Sequence, residues 1–306
     1  MKIFHSFSEA KNIINPVVTT GSFDGVHLGH KTILNRLKTL AGKYSGESVL
    51  ITFDPHPRKV LYPETAGKDL MLINSQEEKL ALLEKAGLDN LIIIEFTRDF
   101  SRITSEEFVR DLLHGILHAR VIVVGFNHHF GFNKEGDYKQ LWQWQEKYNF
   151  EAVEIPEQEV YHETVSSTRI REAIKEGYIQ RANAYLDHYY IIMGKAELFS
   201  EYKESEISPI YRIPLTEECK ILPASGIYAV TVDLNDLRKK GMVIIQRHKE
   251  LQEKVLLHVF DDNNPIEGEK VTLSFHKKIY GAVDLNDEHS KMKLKMAADE
   301  ITDLIY

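Results

Sequence analysis

His27 and His30 stand three residues apart, with Gly29 between them, in the stretch Thr20-Gly21-Ser22-Phe23-Asp24-Gly25-Val26-His27-Leu28-Gly29-His30. Two imidazoles at that spacing can face one phosphate group, and Gly29 leaves room for the nucleotide that carries it. A short β-branched run, Val17–Thr20, comes first, then a glycine-bearing loop, then a helical stretch. That order aims free backbone N–H groups and the positive end of a helix dipole at an anion. An isolated His-x-x-His is more often a surface pair, and its spacing also suits a metal ion. Neither a cysteine nor a third histidine is nearby to complete a metal set. With the strand and the whole loop in place, phosphate binding is the expected chemistry, and no metal site is expected.

A second group lies at Ser166-Ser167-Thr168-Arg169-Ile170-Arg171. Hydroxyls and N–H groups at a helix start make an anion seat, and the Arg171 guanidinium can hold phosphate oxygens through two N–H groups. Taken alone, this is a capped helix with surface arginines. Asp54-Pro55-His56-Pro57 reads as a rigid turn, and Asn127 as a loop cap. Trp142 and Trp144 are two apart, so on a helix they point to different faces, one to the core and one to solvent. Glu106 and Glu107 read as helix-start charges. Arg238-Lys239-Lys240 reads as a solvated cluster before a turn at Gly241.

The elements that must hold these residues alternate through the first half of the chain. Strands are predicted at Val17–Thr20, Ser48–Phe53, Leu91–Phe96, Val121–Val124 and Ala152–Ile155. The two prolines at 55 and 57 stop the second of these. Helices are predicted at Lys31–Lys43, Gln76–Lys85 and Gln140–Lys147, and from the capping-box spacing of Thr104 and Glu107 through about Leu117. Alternation of this kind implies a parallel sheet covered by helices on both faces. Near residue 188 the pattern changes to strands, at Ile227–Asp233, Val255–Asp261 and Val271–Phe275. A closing helix from Asp287 is predicted to put Met292, Met296, Ala297, Ile301, Leu304 and Ile305 on one face. The expected organisation is α/β: a Rossmann-like parallel-sheet domain over 1–187 and a small antiparallel β-barrel domain with a C-terminal helix over 188–306.

At 306 residues the chain suits two domains, and its 43% apolar content can fill two cores. A net charge of −8, with no basic stripe, argues against nucleic acid. No apolar run reaches 18 residues, so no membrane span is expected. The N-terminal stretch lacks the layout of a signal peptide, and the single cysteine, Cys219, leaves no internal disulfide. A reducing cytoplasm is the expected location.

The histidine loop resembles the His-x-Gly-His signature of the nucleotidylyltransferase superfamily. The fuller string, Gly21 to His30, is similar to the bacterial riboflavin kinase/FAD synthetase family. Three further stretches resemble that family in order: Thr52–Pro57, Val124–Asn127 with Phe130-Gly131 and Gly136-Asp137, and Ser166–Arg171. The likeness covers about residues 15–190. It implies an FMN adenylyltransferase that uses ATP, with Mg2+, and FMN. Within it, His27, His30 and Arg171 would be catalytic. Gly21, Ser22, Phe23, Asp24, Gly25, Gly29, Asn127, Ser167 and Thr168 would contact the nucleotide, with Ser167, Thr168 and Arg171 on the β- and γ-phosphates. Asp54, Pro55, His56 and Pro57 would border the flavin. The chain departs from the family at His129, where an arginine is usual.

In the same family the C-terminal domain is a riboflavin kinase. Pro223–Val230, Leu257–Asp261, Lys270–Phe275 and the closing helix resemble its framework. Its Pro-Thr-Ala-Asn signature is absent, the stretch Lys195–Cys219 standing in its place, and Leu256 occupies the position of its glutamate base. Glu253 sits at an odd offset from Leu256, which on a strand faces the other side. A barrel without kinase activity is therefore expected. The alternatives are a bifunctional enzyme, a related nucleotidylyltransferase with another phosphorylated acceptor, and a nucleotide- or flavin-binding regulator without turnover. The oligomeric state is not legible.

Overall fold

A computed structural model describes residues 1–156, 165–199, 209–246, 253–260, 264–285 and 287–305. Part of Lys195–Cys219 and Asp261 lie outside these residues. The chain divides into two compact units, 1–70 with 79–165, and 71–78 with 166–306.

The first unit is built on a six-stranded, wholly parallel sheet. Its strands are β1 (Lys2–Phe4), β2 (Val17–Thr20), β3 (Ser48–Asp54), β4 (Asn90–Glu95), β5 (Val121–Gly125) and β6 (Glu151–Ile155), in the order β1-β4-β3-β2-β5-β6. Five are the predicted strands to within a residue or so. The sixth, β1, is a three-residue edge strand with little burial, too short for a pattern to announce it. Along the central strands, alternate residues enter two separate cores. Val18, Val49, Ile51, Ile92, Ile122 and Val124 pack with Phe108, Val109, Leu113 and Leu141 on one face. Val17, Leu50, Leu91, Ile93, Val121 and Val123 pack with Leu34, Leu37, Leu40 and Leu83 on the other. Both faces are dry, which is why these strands read as continuous apolar runs.

The helices follow the same logic. Helix α1 (Leu28–Lys43) starts three residues earlier than predicted, and α2 is a short piece, Pro57–Leu61. Helix α3 spans Gln76–Lys85. Helix α4 (Ser105–Glu107) opens on the predicted capping box: Glu107 N–H donates to Thr104 Oγ1 at 3.2 Å, and Thr104 N–H donates to the Glu107 carboxylate at 2.9 Å. It continues as a π-helical stretch, Phe108–His114. Glu106 accepts from Lys147 and Tyr148, each at 2.8 Å. In α5 (Tyr138–Trp144), Trp142 is exposed and Trp144 packs on the core.

The second unit holds a seven-stranded sheet that curls into a half-barrel, in the order β7-β13-β10-β11-β12-β9-β8 and antiparallel throughout. Its strands are β7 (Tyr190–Lys195), β8 (Glu197–Leu198), β9 (Tyr211–Arg212), β10 (Gly226–Leu234), β11 (Leu237–Gln246), β12 (Lys254–Val259) and β13 (Lys270–Tyr280). Two helices, α6 (Ser167–Glu176) and α7 (Ile179–Leu186), belong to this unit. Gly177 closes α6 at φ +81°, a left-handed position that suits glycine.

Two expectations are corrected here. Gly241 is no turn: it sits inside β11, opposite Val230 and Val259, where a Cβ would lie 2.7 Å from Val232 Cγ2. The turn falls at Asn235-Asp236, both at positive φ, as a two-residue hairpin between paired Leu234 and Leu237 prefers. The closing helix α8 (Glu288–Leu304) buries Ser290, Leu294, Ala297 and Ile301, while Met292 and Met296 are exposed. The inward face follows the 3.6-residue period from Ser290, and the two methionines lie off it. Leu294→Ala is therefore expected to cost about 2–5 kcal/mol and Met292→Ala less than about 0.5 kcal/mol, read by urea unfolding.

Candidate active site

Strand β2 is fully buried between β3 and β5, and Thr19 Oγ1 donates to Val123 O at 2.8 Å. The chain leaves the sheet at Gly21, whose N–H donates to Ile51 O at 3.0 Å. A Cβ there would lie 3.0 Å from the Phe23 ring. The loop then turns back on itself through three left-handed residues, Phe23, Gly25 and Val26, at φ +48°, +95° and +41°. Such a conformation costs a non-glycine residue roughly 1–3 kcal/mol. Burial of the Phe23 and Val26 side chains in the core offsets it. The reward is placement: His27 becomes the N-cap of α1, and His30 sits in its first turn.

Three rings stack there. The His27 and His30 centroids are 3.7 Å apart with planes 18° from parallel, and Phe23 lies 4.4 Å from His30 on its other side. Among the described residues no side chain caps the helix start, and no acidic residue lies in its first turn. His30 Nδ1 is buried and has no hydrogen-bond partner among the described residues. Its pKa is held well below the ordinary histidine value, first by burial, then by the neighbouring charges of His27 and Lys79. The ring is neutral at pH 7 and one nitrogen is a donor. A half-buried imidazole at the positive end of a helix is suited to meeting a phosphate oxygen rather than water.

Lys79, on α3, was not singled out from the sequence. It is 8% exposed, and its Nζ donates to Thr52 Oγ1 at 3.4 Å. Thr52 Oγ1 in turn donates to Ser22 O of the histidine loop at 3.3 Å. The one sequence signal was a lysine four residues before Leu83, on a face that Leu83 buries completely.

The other predicted residues take ordinary local positions. Asp54 and Pro55 are exposed at the end of β3, joined by a cis peptide. His56 caps α2, its Nδ1 accepting the Arg58 N–H at 3.2 Å, and Pro57 is the first helical residue. Asn127 is exposed in the loop after β5, which the Phe130–Gly136 bridge closes. In that loop His128 Nε2 is buried without a hydrogen-bond partner among the described residues, and burial, then the charge of His129, lowers its pKa to about 4. Ser166 caps α6 by accepting the Arg169 N–H at 3.4 Å, so Ser167 and Thr168 form its first turn and Arg171 follows one turn on. The histidine loop, Thr52 and Lys79 are thus brought together in the first unit. Ser167, Thr168 and Arg171 lie on the second.

A family model described as FAD synthetase matches residues 9–169. The bifunctional riboflavin kinase/FMN adenylyltransferase of Listeria monocytogenes is 31% identical over 268 residues, 88% of this chain and 81% of the relative. The chain belongs to this family. A second relative of the same name, from Buchnera aphidicola, is 27% identical over 290 residues, 91% of this chain and 90% of that one. A crystal structure of a macrolide-efflux protein from Streptococcus pneumoniae has the same fold, with a TM-score of 0.84 at 23% identity and 100% of both chains covered.

Membership in the riboflavin kinase/FMN adenylyltransferase family extends to the second unit, because a riboflavin kinase model matches residues 209–302. That match argues against the expectation of a barrel without kinase activity. The expectation leaned on a missing four-residue signature and on Leu256. In the structure Leu256 is fully buried with Ile227, Ile244, Leu294 and Ile301, so it is a core position of the sheet. The framework strands and closing helix, which the sequence did show, fall within the matched stretch. No helix among the described residues is long and apolar enough to cross a membrane.

Proposed function

We propose that this chain makes FAD by transferring the AMP half of ATP to FMN, with release of pyrophosphate. The observation that carries the reading is the stacked His27–His30 pair at the start of α1, with His30 Nδ1 buried and without a hydrogen-bond partner among the described residues. An oxygen of the FMN phosphate attacks the α-phosphorus of ATP. The bond from that phosphorus to the α–β bridging oxygen breaks, and its electron pair leaves with pyrophosphate. No covalent enzyme intermediate is required, so the protein contributes position and charge.

In this reading His27 and His30 stabilise charge on the α-phosphate and the bridging oxygen. Gly21, Ser22, Phe23, Asp24, Gly25, Gly29 and Asn127 line the nucleotide. Ser167, Thr168 and Arg171 are assigned to the departing β- and γ-phosphates. Asp54, Pro55, His56 and Pro57 border the flavin. ATP enters as its magnesium complex, the metal being part of the substrate. The adenylyltransferase function is assigned to 1–187 and the barrel function to 188–306, in a cytoplasmic protein that acts on small molecules.

A second activity, phosphorylation of riboflavin to FMN, is favoured by the riboflavin kinase match over 209–302. One experiment tests both. Purified protein is given ATP with either FMN or riboflavin, and flavins and pyrophosphate are measured. FAD and pyrophosphate are expected from FMN, and FMN is expected from riboflavin. No pyrophosphate with FMN would make the chain a binder and reject the main reading. No phosphorylated flavin from riboflavin would reject the second.

A further inference from the structure

The adenylyl-transfer reading leaves one demand unmet. The attacking FMN phosphate is itself an anion, and it must approach the anionic α-phosphate closely. Two negative charges about 4 Å apart in a partly dry site repel by several kcal/mol. Something cationic must stand where the two meet. On the flavin side that place is next to the end of β3, because Thr52 directly precedes Phe53 and the Asp54–Pro57 segment. On the nucleotide side it is next to His30.

Lys79 stands at this junction. Its ammonium is hydrogen-bonded to Thr52 Oγ1 at 3.4 Å, and Thr52 Oγ1 is tied to Ser22 O of the histidine loop at 3.3 Å. The side chain is 8% exposed, and its charge is felt at the His30 ring. Helix α3 and the buried Leu83 one turn on fix where the stem leaves the backbone. A lysine so held is a point charge whose field is little screened by water.

Resting on that reading, we propose that Lys79 binds the phosphate of FMN and holds it against the α-phosphorus. The lysine neutralises the acceptor phosphate while the new P–O bond forms and pyrophosphate carries off the electron pair. Its role is therefore distinct from that of the histidines, which act on the nucleotide.

The test is a pair of variants in the full chain, K79M and K79R, assayed by pyrophosphate release. KM is measured for FMN at saturating ATP and for ATP at saturating FMN. Loss of one charge-assisted contact is expected to raise KM for FMN by about 10- to 100-fold in K79M, with KM for ATP changed less than about threefold. K79R, which keeps the charge, is expected to recover most of that loss. An unchanged KM for FMN in folded K79M overturns the proposal. So does a rise confined to KM for ATP, or a K79R variant as impaired as K79M. Folding is checked by far-UV circular dichroism, and K79Q, which can still hydrogen-bond to Thr52, carries the same comparison if K79M does not fold. If the wild-type protein releases no pyrophosphate from FMN and ATP, the adenylyl-transfer reading falls and this proposal with it. If it does, and K79M matches it in KM for FMN, this proposal falls alone.

Discussion

His30→Ala is expected to lower FAD synthesis by about 10²- to 10³-fold, the usual cost of losing one donor aimed at developing charge. The ring is the middle member of the Phe23–His30–His27 stack, so no neighbouring side chain already occupies its place beside His27. The fold should tolerate the change. Burial of His30 Nδ1 without a partner is itself a desolvation cost, and alanine removes it while giving up ring contacts. The two effects oppose, and a small shift in unfolding midpoint is expected. A pH effect on stability separates the terms. Burial holds the His30 pKa well below 6.5, with the charges of His27 and Lys79 adding to it. The unfolded chain therefore binds a proton near pH 6.5 that the folded chain refuses, and stability falls as pH drops below about 6.5. Part of that slope should vanish in H30A. Near-normal FAD synthesis by folded H30A would reject the catalytic role.

Lys220→Met is expected to destabilise the second unit by about 3–5 kcal/mol, the cost of stripping the partner from a buried charge. Lys220 and Glu78 have side chains 1% and 2% exposed and meet at 2.6 Å. The ammonium also donates to Ile73 O at 2.6 Å and Ile191 O at 2.9 Å. The carboxylate accepts the N–H groups of Ser75 at 2.9 Å and Met193 at 3.1 Å. Methionine fills the volume but leaves a buried carboxylate and two carbonyls without that donor. The pair itself need not be net stabilising, since dehydrating both ions offsets much of their attraction. Hence the double variant K220M/E78L should lose less than the sum of the single variants, a coupling above about 1 kcal/mol in urea unfolding. A K220M variant within about 1 kcal/mol of wild type would show that the site relaxes or admits water.

Much of the first unit was readable because its signals are local. The run Val17–Thr20, the glycines at 21 and 25 and the apolar spacing of Leu34, Leu37 and Leu40 each act within a few residues, and strand, loop and helix followed. The Thr104–Glu107 box is another case: both partners are three apart, so the sequence contains the whole interaction. The barrel was harder. β11 was missed because Leu237–Gly241 carries Arg, two Lys and Gly, all poor strand signals. Pairing with β10 and β12 overrides them.

By itself the sequence determined the histidine loop, the capped helix starts at Thr104 and Ser166 and the order of layers, because hydrogen-bond caps, glycine conformations and periodic burial are short-range. Only the tertiary structure decided that Lys79 meets Thr52 and that Lys220 meets Glu78 across 142 residues. It also decided that Met292 points outward and that Gly241 lies inside a strand. A charge's partner and a strand's neighbour depend on which distant segments share a core, and no local pattern specifies that.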